Sequence, residues 1–537
     1  MRVESVPVLI AGAGPVGLAA TVFLSRHGIR PLLVEKRPGT SVLPRAPGIQ
    51  ARTMEIFRAA GLEPGIRALE MDDSLAYFEG GILRTRTLAE IADAQVIEAP
   101  TLYGETISPV TAMGCGQDRY ETVLLAAARE QGAEARFGTR LVGFEQDEDG
   151  VLVTLQNAEE RYQVRTRYLV GADGSRSDVR AALGLETRGR GAVFNALSIY
   201  FRAPELEGLM GGRRFILCYT TASTTPVALS RLHGCDPWVA AAIYDPEAGE
   251  SVADFTPERC VALLREVSGR PDLAVEVVDR VPWEGAQRIA ERFGTGRVFL
   301  AGDAAHVHPP AGGFGANTGI HDAHNLAWKL AAVLQGWAGP GLLDTYDAER
   351  RPLGTAMAEQ AMVRFRIRHG RALPGDRLVD DIIVTLGYRY ASTAVPGGVE
   401  TEPLSPSLEL NGEPGTRAPH VWLRRGAEPF STLDLFSDGF VLLTGPGGAA
   451  WADAATRVAK ELSVPLRAVE VDAAVTAAYG IGDGGCALVR PDAFVAWRAA
   501  GPAADPNATL QEIMTKTLSC GEPRYDHSGL ASDPVHQ

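Results

Sequence analysis

Apolar residues run without a break through Val8–Ala11, and after a turn of small residues, Gly12-Ala13-Gly14-Pro15-Val16-Gly17, they return with helical spacing from Val16 to His27. A short apolar run closed by glycine reads as a buried strand, and the spacing after it as a helix stopped by Gly28. Pro31–Glu35 reads as the next strand, so the chain opens on a βαβ unit. Helical spacing recurs in Arg52–Ala60 and Gln117–Gly132, while residues 72–110 alternate and are Gly-rich, as in an excursion into a sheet. Ala135–Phe144, Val151–Leu155 and Tyr162–Val170 read as successive strands. Between residues 190 and 285 the period is that of β structure, with short runs at Leu197–Phe201, Arg214–Tyr219, Pro226–Leu229 and Trp238–Tyr244. Arg297–Ala301 reads as a late strand. Residues 319–337 form a helix with Ile320, Ala323, Ala327, Leu330, Ala331 and Leu334 toward one face, and Leu342–Met362 continues helically with a kink or break at Pro352. Residues 371–419 are interrupted by Gly and Pro and read as a linker. The alternation of Gly439–Gly445, Ala449–Leu462, Leu466–Val471 and Ala487–Arg490 predicts a small terminal α/β unit.

At 537 residues, with 45% apolar residues and 59 glycines, the chain has room for two to four compact units. A formal charge of -14 carries no basic footprint for nucleic acid or anionic lipid. No run reaches the ~18 apolar residues of a membrane span, and no leader pattern opens the chain, so a cytoplasmic protein is expected. The six cysteines, Cys115, Cys218, Cys235, Cys260, Cys486 and Cys520, form no CxxC pair and no ligand spacing, so neither disulfide nor zinc chemistry is expected.

The glycine turn gives the first chemistry. Gly12 permits a tight turn, Gly14 lets backbone approach a pyrophosphate, Gly17 allows close helix packing, and the helix N-terminus attracts the phosphates. Glu35, ending the second strand, suits a ribose hydroxyl pair and repels a 2′-phosphate. That much is compatible with NAD, FAD or no ligand. A second small-residue turn, Gly171-Ala172-Asp173-Gly174-Ser175-Arg176-Ser177, follows another strand. A third contact, Gly302-Asp303-Ala304-Ala305-His306-Val307-His308-Pro309-Pro310, is delivered by the late strand. Together the three read as one long cofactor, FAD. His306, His308, His321 and His324 have ligand-like spacings, but no carboxylate or thiolate completes a set, and no metal is expected. His308 and His324 are expected at the surface or along a channel. Tyr219, Tyr244 and Trp283 are candidates to line a pocket for a flat polycycle, core packing being the commoner fate of such rings.

In this order and at these separations, the motifs resemble the single-component FAD-dependent aromatic hydroxylases of the para-hydroxybenzoate hydroxylase fold, over nearly the whole chain. Gly312–Leu330 and Asp344–Pro352 resemble the phenol-hydroxylase and polyketide-hydroxylase branch. Ser41-Val42-Leu43-Pro44-Arg45-Ala46 followed by Arg52-Thr53-Met54-Glu55 is similar to anthracycline hydroxylases of the aklavinone 11-hydroxylase type. Phe314 and Ala316 depart from residues common in that branch, where a polar residue and Met are frequent.

The resemblance implies an α/β protein with a Rossmann-like FAD-binding domain, a β-sheet substrate domain and a thioredoxin-like C-terminal domain. The implied FAD segments are 1–72, 111–188 and 286–400, the substrate segments 73–110 and 189–285, and the C-terminal domain 401–537. It implies FAD contacts from Gly12, Gly14, Pro15, Gly17, Glu35, Lys36, Arg45, Gln117, Asp173, Gly302, Asp303, Pro310, Gly313, Gly315, Ala316 and Asn317. Pro310, Gly315 and Asn317 are the implied catalytic positions, and Phe314 joins Tyr219, Tyr244 and Trp283 as a pocket candidate. The helix after Gly319 would point its N-terminus at the flavin. The implied reaction is hydroxylation of a polycyclic aromatic polyketide through a flavin C4a-hydroperoxide, in secondary-metabolite biosynthesis, with NADPH or NADH as transient reductant and dioxygen as co-substrate. Alternatives are Baeyer–Villiger insertion, an antibiotic-inactivating oxidation, and a non-catalytic flavoprotein that sequesters a polycycle. No nucleic-acid or membrane partner is expected, and a homodimer has the highest prior among assemblies.

Overall fold

The computed structural model describes residues 3–45, 48–71, 74–99, 104, 106–231, 238–398, 402–425 and 428–519. Ala46 of the Ser41–Ala46 motif, Cys235, Cys520 and parts of the 73–110 and 401–537 segments lie outside the described residues.

The first sheet is built from runs buried on both faces, as a parallel sheet covered by helices requires. Its order is Gly294–Thr295, Val298–Leu300, Arg161–Gly171, Glu4–Ala11, Leu32–Glu35 and Glu134–Phe137, with Arg140–Gln146 and Val151–Gln156 as an antiparallel extension. Ala11 pairs with both Gly171 and Val34, and Gly171 with Leu300, so the carboxyl ends of these strands coincide. The helix Pro15–Arg26 (α1) follows the first glycine turn; Ala51–Ala59 (α2) and Gln117–Glu130 (α3) follow it in the chain, with the short helices Glu63–Arg67 and Ser74–Glu79 between them. The expected single strand Ala135–Phe144 is two strands instead. The chain turns at Gly138 (φ +65°), which leaves one half parallel to Leu32–Glu35 and the other antiparallel to Val151–Gln156.

The second sheet runs His306–Val307, Glu276–Ala290, Thr187–Arg202, Trp238–Tyr244, Val227–Arg231, Leu217–Thr220, Ile82–Thr85 and Gln95–Glu98. Because strand side chains alternate, its two faces separate cleanly. Leu83, Leu197, Ile199, Phe201, Cys218, Leu229, Trp238, Ala240 and Ala242 form a closed core with Leu263, Leu264 and Val267 of the helix Pro257–Ser268 (α4). The opposite face carries Arg84, Phe194, Ala196, Ser198, Tyr200, Tyr219 and Trp283.

The helix expected over 319–337 spans Phe314–Gln335 (α5), five residues longer at its start, because Gly313 (φ +64°) caps it in the left-handed region. Asp344–Arg368 (α6) passes unbroken through Pro352. Residues 371–419 are no linker. They include the helix Asp381–Leu386 and bury Val384, Tyr388, Tyr390, Thr416 and Arg417, so the glycines and prolines there turn the chain between packed pieces.

The C-terminal unit has strands Phe440–Thr444, Leu466–Glu470, Cys486–Val489 and Val495–Ala499, ordered second-first-third-fourth. The first two are parallel and the rest antiparallel, with flanking helices Ala449–Glu461 and Pro506–Thr517, the thioredoxin-like arrangement. Among the described residues no helix is long and apolar enough to cross a membrane.

Candidate functional site

Three small-residue turns emerge where the carboxyl ends of the first sheet coincide, the edge at which open parallel sheets bind ligands. They touch one another. A Cβ on Gly12 (φ +106°) would lie 2.3 Å from the Ala172 carbonyl oxygen, and one on Gly17 would lie 1.8 Å from that of Gly12. A Cβ on Gly319 of α5 would meet Gly302 Cα at 2.9 Å and Val16 at 2.5 Å. The Gly302–Pro310 segment is the seam of the molecule. It leaves the first sheet at Leu300 and joins the second at His306, which pairs with Ile289.

Around this edge the protein leaves room and partners for a ligand. A Cβ on Gly14 or Gly313 would meet nothing within 4 Å, and one on Gly315 would meet only Asp303 Oδ1, at 3.9 Å. Gly14 precedes α1 without a capping side chain, so the first amides of that helix are available to an anion beside Pro15. Glu35 stands next to the turn, accepting from the Ala13 and Arg37 amides at 2.9 Å each, with Lys36 exposed beside it. Asp173 accepts from Val179 N at 3.0 Å through Oδ2, while its Oδ1 is buried with no hydrogen-bond partner in the protein. Asp303 lies in a recess, open to solvent yet walled by protein; that enclosure raises its carboxyl, with His306 opposing. Glycine-lined space, a helix N-terminus, a ribose-suited carboxylate and an orphaned buried oxygen fit an extended dinucleotide such as FAD. Pro310 and Gly313 are exposed at the same seam and Ala316 is half-buried there.

Beneath these contacts a buried clamp holds the seam. Asp322 accepts from Gly302 N at 3.0 Å, His306 Nε2 at 2.6 Å and Arg350 Nε at 2.7 Å. Burial alone would raise its carboxyl, but His306 and Arg350 outweigh that and hold it near 2. Arg350 also donates to the Thr318 carbonyl oxygen at 3.0 Å, fixing the first turns of α5. Gly302 and His306 belong to a motif read from the sequence, but Asp322 and Arg350 did not stand out as their buried partners; the spacing of Asp322 and Asn325 on one face of a strongly apolar helix was the available signal.

Asn317, expected to be catalytic, has its side-chain amide engaged within the protein. Its oxygen accepts from Gln50 N (3.0 Å) and Thr53 Oγ1 (2.7 Å), and its nitrogen donates to the carbonyls of Gly48 (3.1 Å) and Gly313 (2.9 Å), which leaves no amide atom for a ligand. Gln117 donates through its side chain to Glu121 (2.6 Å), and its amide donates to the Arg45 carbonyl (2.9 Å). The exposed Arg45 guanidinium acts on the Tyr200 phenol, drawing down a hydroxyl that burial raises, and so lies between the cofactor edge and the open face of the second sheet.

On that face lies a row of half-buried rings. Trp283 meets Phe194 edge-on at 5.3 Å, Phe194 stacks on Phe365 of α6 at 4.9 Å, Phe365 contacts His369 at 4.2 Å, and His369 meets Tyr219 at 5.2 Å. Two of the pocket candidates, Trp283 and Tyr219, are thus the ends of one row. The other two are not in it. Tyr244 points to the opposite face, against Phe255 at 6.0 Å, because its strand parity is that of Ala242 and Ala240. Phe314 is fully buried with Leu353, Met357 and Val384, beneath the Arg364 guanidinium at 5.1 Å. His308 and His324 are half-buried rather than fully exposed, and desolvation drives His308 well below the usual histidine range and His324 to about 3.

Arg368 completes the row, its guanidinium drawing down the Tyr219 phenol that burial raises, and is held by Glu98 at 2.7 and 3.0 Å. Burial lowers the His369 imidazole, with the Phe365 carbonyl opposing. Its Nδ1 lies 2.8 Å from that carbonyl, which only accepts, so Nδ1 carries the proton and the buried Nε2 keeps a lone pair without a protein partner. Phe365, Arg368 and His369 share one helical face, an i, i+3, i+4 signal in the sequence.

A family model described as FAD binding domain matches residues 5–361, and one described as Aromatic-ring hydroxylase, C-terminal, matches residues 411–523. The tetracenomycin A2 monooxygenase-dioxygenase of Streptomyces glaucescens is 43% identical, covering 97% of this chain and 98% of its own. A 4-methyl-5-nitrocatechol 5-monooxygenase from Burkholderia sp is 40% identical over 96% of this chain and 97% of its own. Among solved structures, the ternary complex of aklavinone-11 hydroxylase with FAD and aklavinone has a TM-score of 0.86 and 37% identity, covering 97% of this chain and all of that one.

Proposed function

Because the chain belongs to the FAD-dependent aromatic-ring hydroxylases, we propose that this single-component monooxygenase hydroxylates a phenolic, polycyclic aromatic polyketide, with NADPH or NADH as the external reductant and dioxygen as co-substrate. The proposed division of labour assigns cofactor binding to segments 1–72, 111–188 and 286–400 and substrate binding to 73–110 and 189–285. When bound, FAD supplies the redox chemistry that activates dioxygen. Gly12, Gly14, Pro15, Gly17, Glu35 and Lys36 would hold its adenosine and phosphate end, Arg45, Gln117, Asp173, Gly302 and Asp303 its middle, and Pro310, Gly313, Gly315 and Ala316 its ring.

The single observation that carries the substrate class is the row from Trp283 to Tyr219. Relatives of similar identity act on tetracenomycin A2, by name, and on a one-ring nitrocatechol. A continuous row of half-exposed rings on the sheet face that reaches Arg45 suits several fused rings better than one. Extended aromatic contact rewards area, roughly 25 cal/mol per Å² removed from water. Tyr219, held by Arg368, orients a substrate oxygen, and His369 Nε2 accepts the phenol proton, leaving an electron-rich ring. The closed core on the other face keeps that wall rigid and dry.

The test is NAD(P)H oxidation by the FAD-loaded protein with a three- or four-ring phenol against 4-methyl-5-nitrocatechol. The polycycle is expected to stimulate oxidation with the higher kcat/KM. Preference for the one-ring catechol would move this protein to the other group of relatives.

A further inference from the structure

The C-terminal unit has no CxxC with which to exchange disulfides, yet it sends one turn deep into the rest of the protein. Resting on the FAD reading above, we propose that the turn at residues 490–494 is a positioning element of the cofactor seat, acting through Glu349 and Arg350 on Asp322 and the Gly302 turn.

Arg490 meets Glu349 at 2.6 and 2.9 Å, with both side chains fully buried. Lys329 of α5 shares that carboxylate at 2.7 Å. Asp492 accepts from Asn325 Nδ2 at 3.3 Å and Trp328 Nε1 at 3.2 Å, also on α5, and its backbone carbonyl accepts from Arg52 of α2 at 2.8 Å. The turn therefore grips the face of α5 that begins, one turn earlier, with Asp322.

A second line of contact reaches the same place. Phe494 packs on Tyr390 at 4.1 Å, and the Arg490 guanidinium lies 5.4 Å from the centre of that ring. The Tyr390 hydroxyl accepts from Arg350 Nη1 at 3.1 Å, and Arg350 holds Asp322 at 2.7 Å and the Thr318 carbonyl at 3.0 Å. Asp322 in turn accepts the Gly302 amide. Glu349 answers to the turn while its neighbour Arg350 answers to the seam, so a displacement of one moves the other.

Physical chemistry makes this linkage stiff. A buried charge that loses its partner is strongly disfavoured, so each ion here is held where several others place it. Ala493 completes the turn in the left-handed region (φ 62°), a conformation that an alanine keeps only where its surroundings over-determine it.

The test uses the full-length protein with FAD. Tyr390→Phe deletes one hydrogen bond and no charge, so it is expected to fold; Arg490→Met removes the cation from Glu349. FAD dissociation constant, visible flavin spectrum and reduction potential are compared with the wild type, beside circular dichroism and melting temperature. The expected result is weaker FAD binding, about threefold for Tyr390→Phe and at least about tenfold for Arg490→Met, with a shifted flavin spectrum and potential in folded protein. Wild-type FAD affinity, spectrum and potential in both variants, with only a lower melting temperature, would show that the turn merely packs and would overturn the inference. Wild-type protein that holds no FAD would instead overturn the flavin reading, and this inference with it.

Discussion

At the scale of single residues, the glycine turn leaves no room for a side chain at Gly12 or Gly17. Gly17→Ala would put a methyl 1.8 Å from the Gly12 oxygen, so backbone must shift. The expected outcome is a loss of about 1–3 kcal/mol in denaturant unfolding, together with weakened FAD retention. His324 offers a prediction of different kind. Its folded value of about 3 lies below the ordinary 6.5 because the ring is desolvated, so below pH 6.5 the unfolded chain takes up a proton that the folded one refuses. Stability should fall as pH drops from 6.5 toward 3, and His324→Gln should flatten that limb in pH-dependent melting. Gly12 and Gly17, where neighbouring backbone leaves no room for a side chain, were legible in the sequence, because glycine at those spacings answers a local demand. Asn317 and Tyr244 were not legible. The first is occupied by backbone groups of Gly48 and Gln50, far away in the chain, and the second is assigned to its face only by sheet register.

Among elements, the second sheet makes the clearest division, one face sealed by α4 and the other carrying the row of half-buried rings. Trp283→Ala and Phe194→Ala should each raise KM for a polycyclic phenol by roughly tenfold or more, with smaller effects on a one-ring phenol, since each removes one ring of the row. Tyr244→Ala should lower melting temperature and leave KM unchanged. His369→Leu keeps an apolar side chain in the row but removes the proton acceptor; kcat should fall roughly 100-fold at neutral pH and recover as rising pH ionises the phenol in solution. The strands and helices themselves followed from periodicity wherever a run was long or fully buried, as in Trp238–Tyr244 and Gln117–Glu130. Periodicity failed where a glycine decided the outcome. Gly138 divides an expected strand, and Gly313 starts α5 before its apolar stripe begins.

Over the whole molecule, three turns widely separated in the chain meet because parallel strands end in register, and the Gly302–Pro310 segment then carries the chain from the first sheet to the second. The family and its cofactor were legible because these turns have local signatures. The ring row was not, since it is assembled from Thr187–Arg202, Leu217–Thr220, Glu276–Ala290 and α6, which only tertiary packing brings together. Nor was the buried contact of residues 490–494 with α5, where charged side chains occupy positions a sequence reading assigns to solvent. The proposed reaction is oxygen transfer to an aromatic ring at this seam. The most direct measurement is turnover of a polycyclic phenol by the FAD-loaded protein with NAD(P)H under ¹⁸O₂, with mass spectrometry and carbon NMR of the product. One ¹⁸O atom in a new aromatic C–OH is the predicted result; an ester carbon, or a product without label, would contradict it.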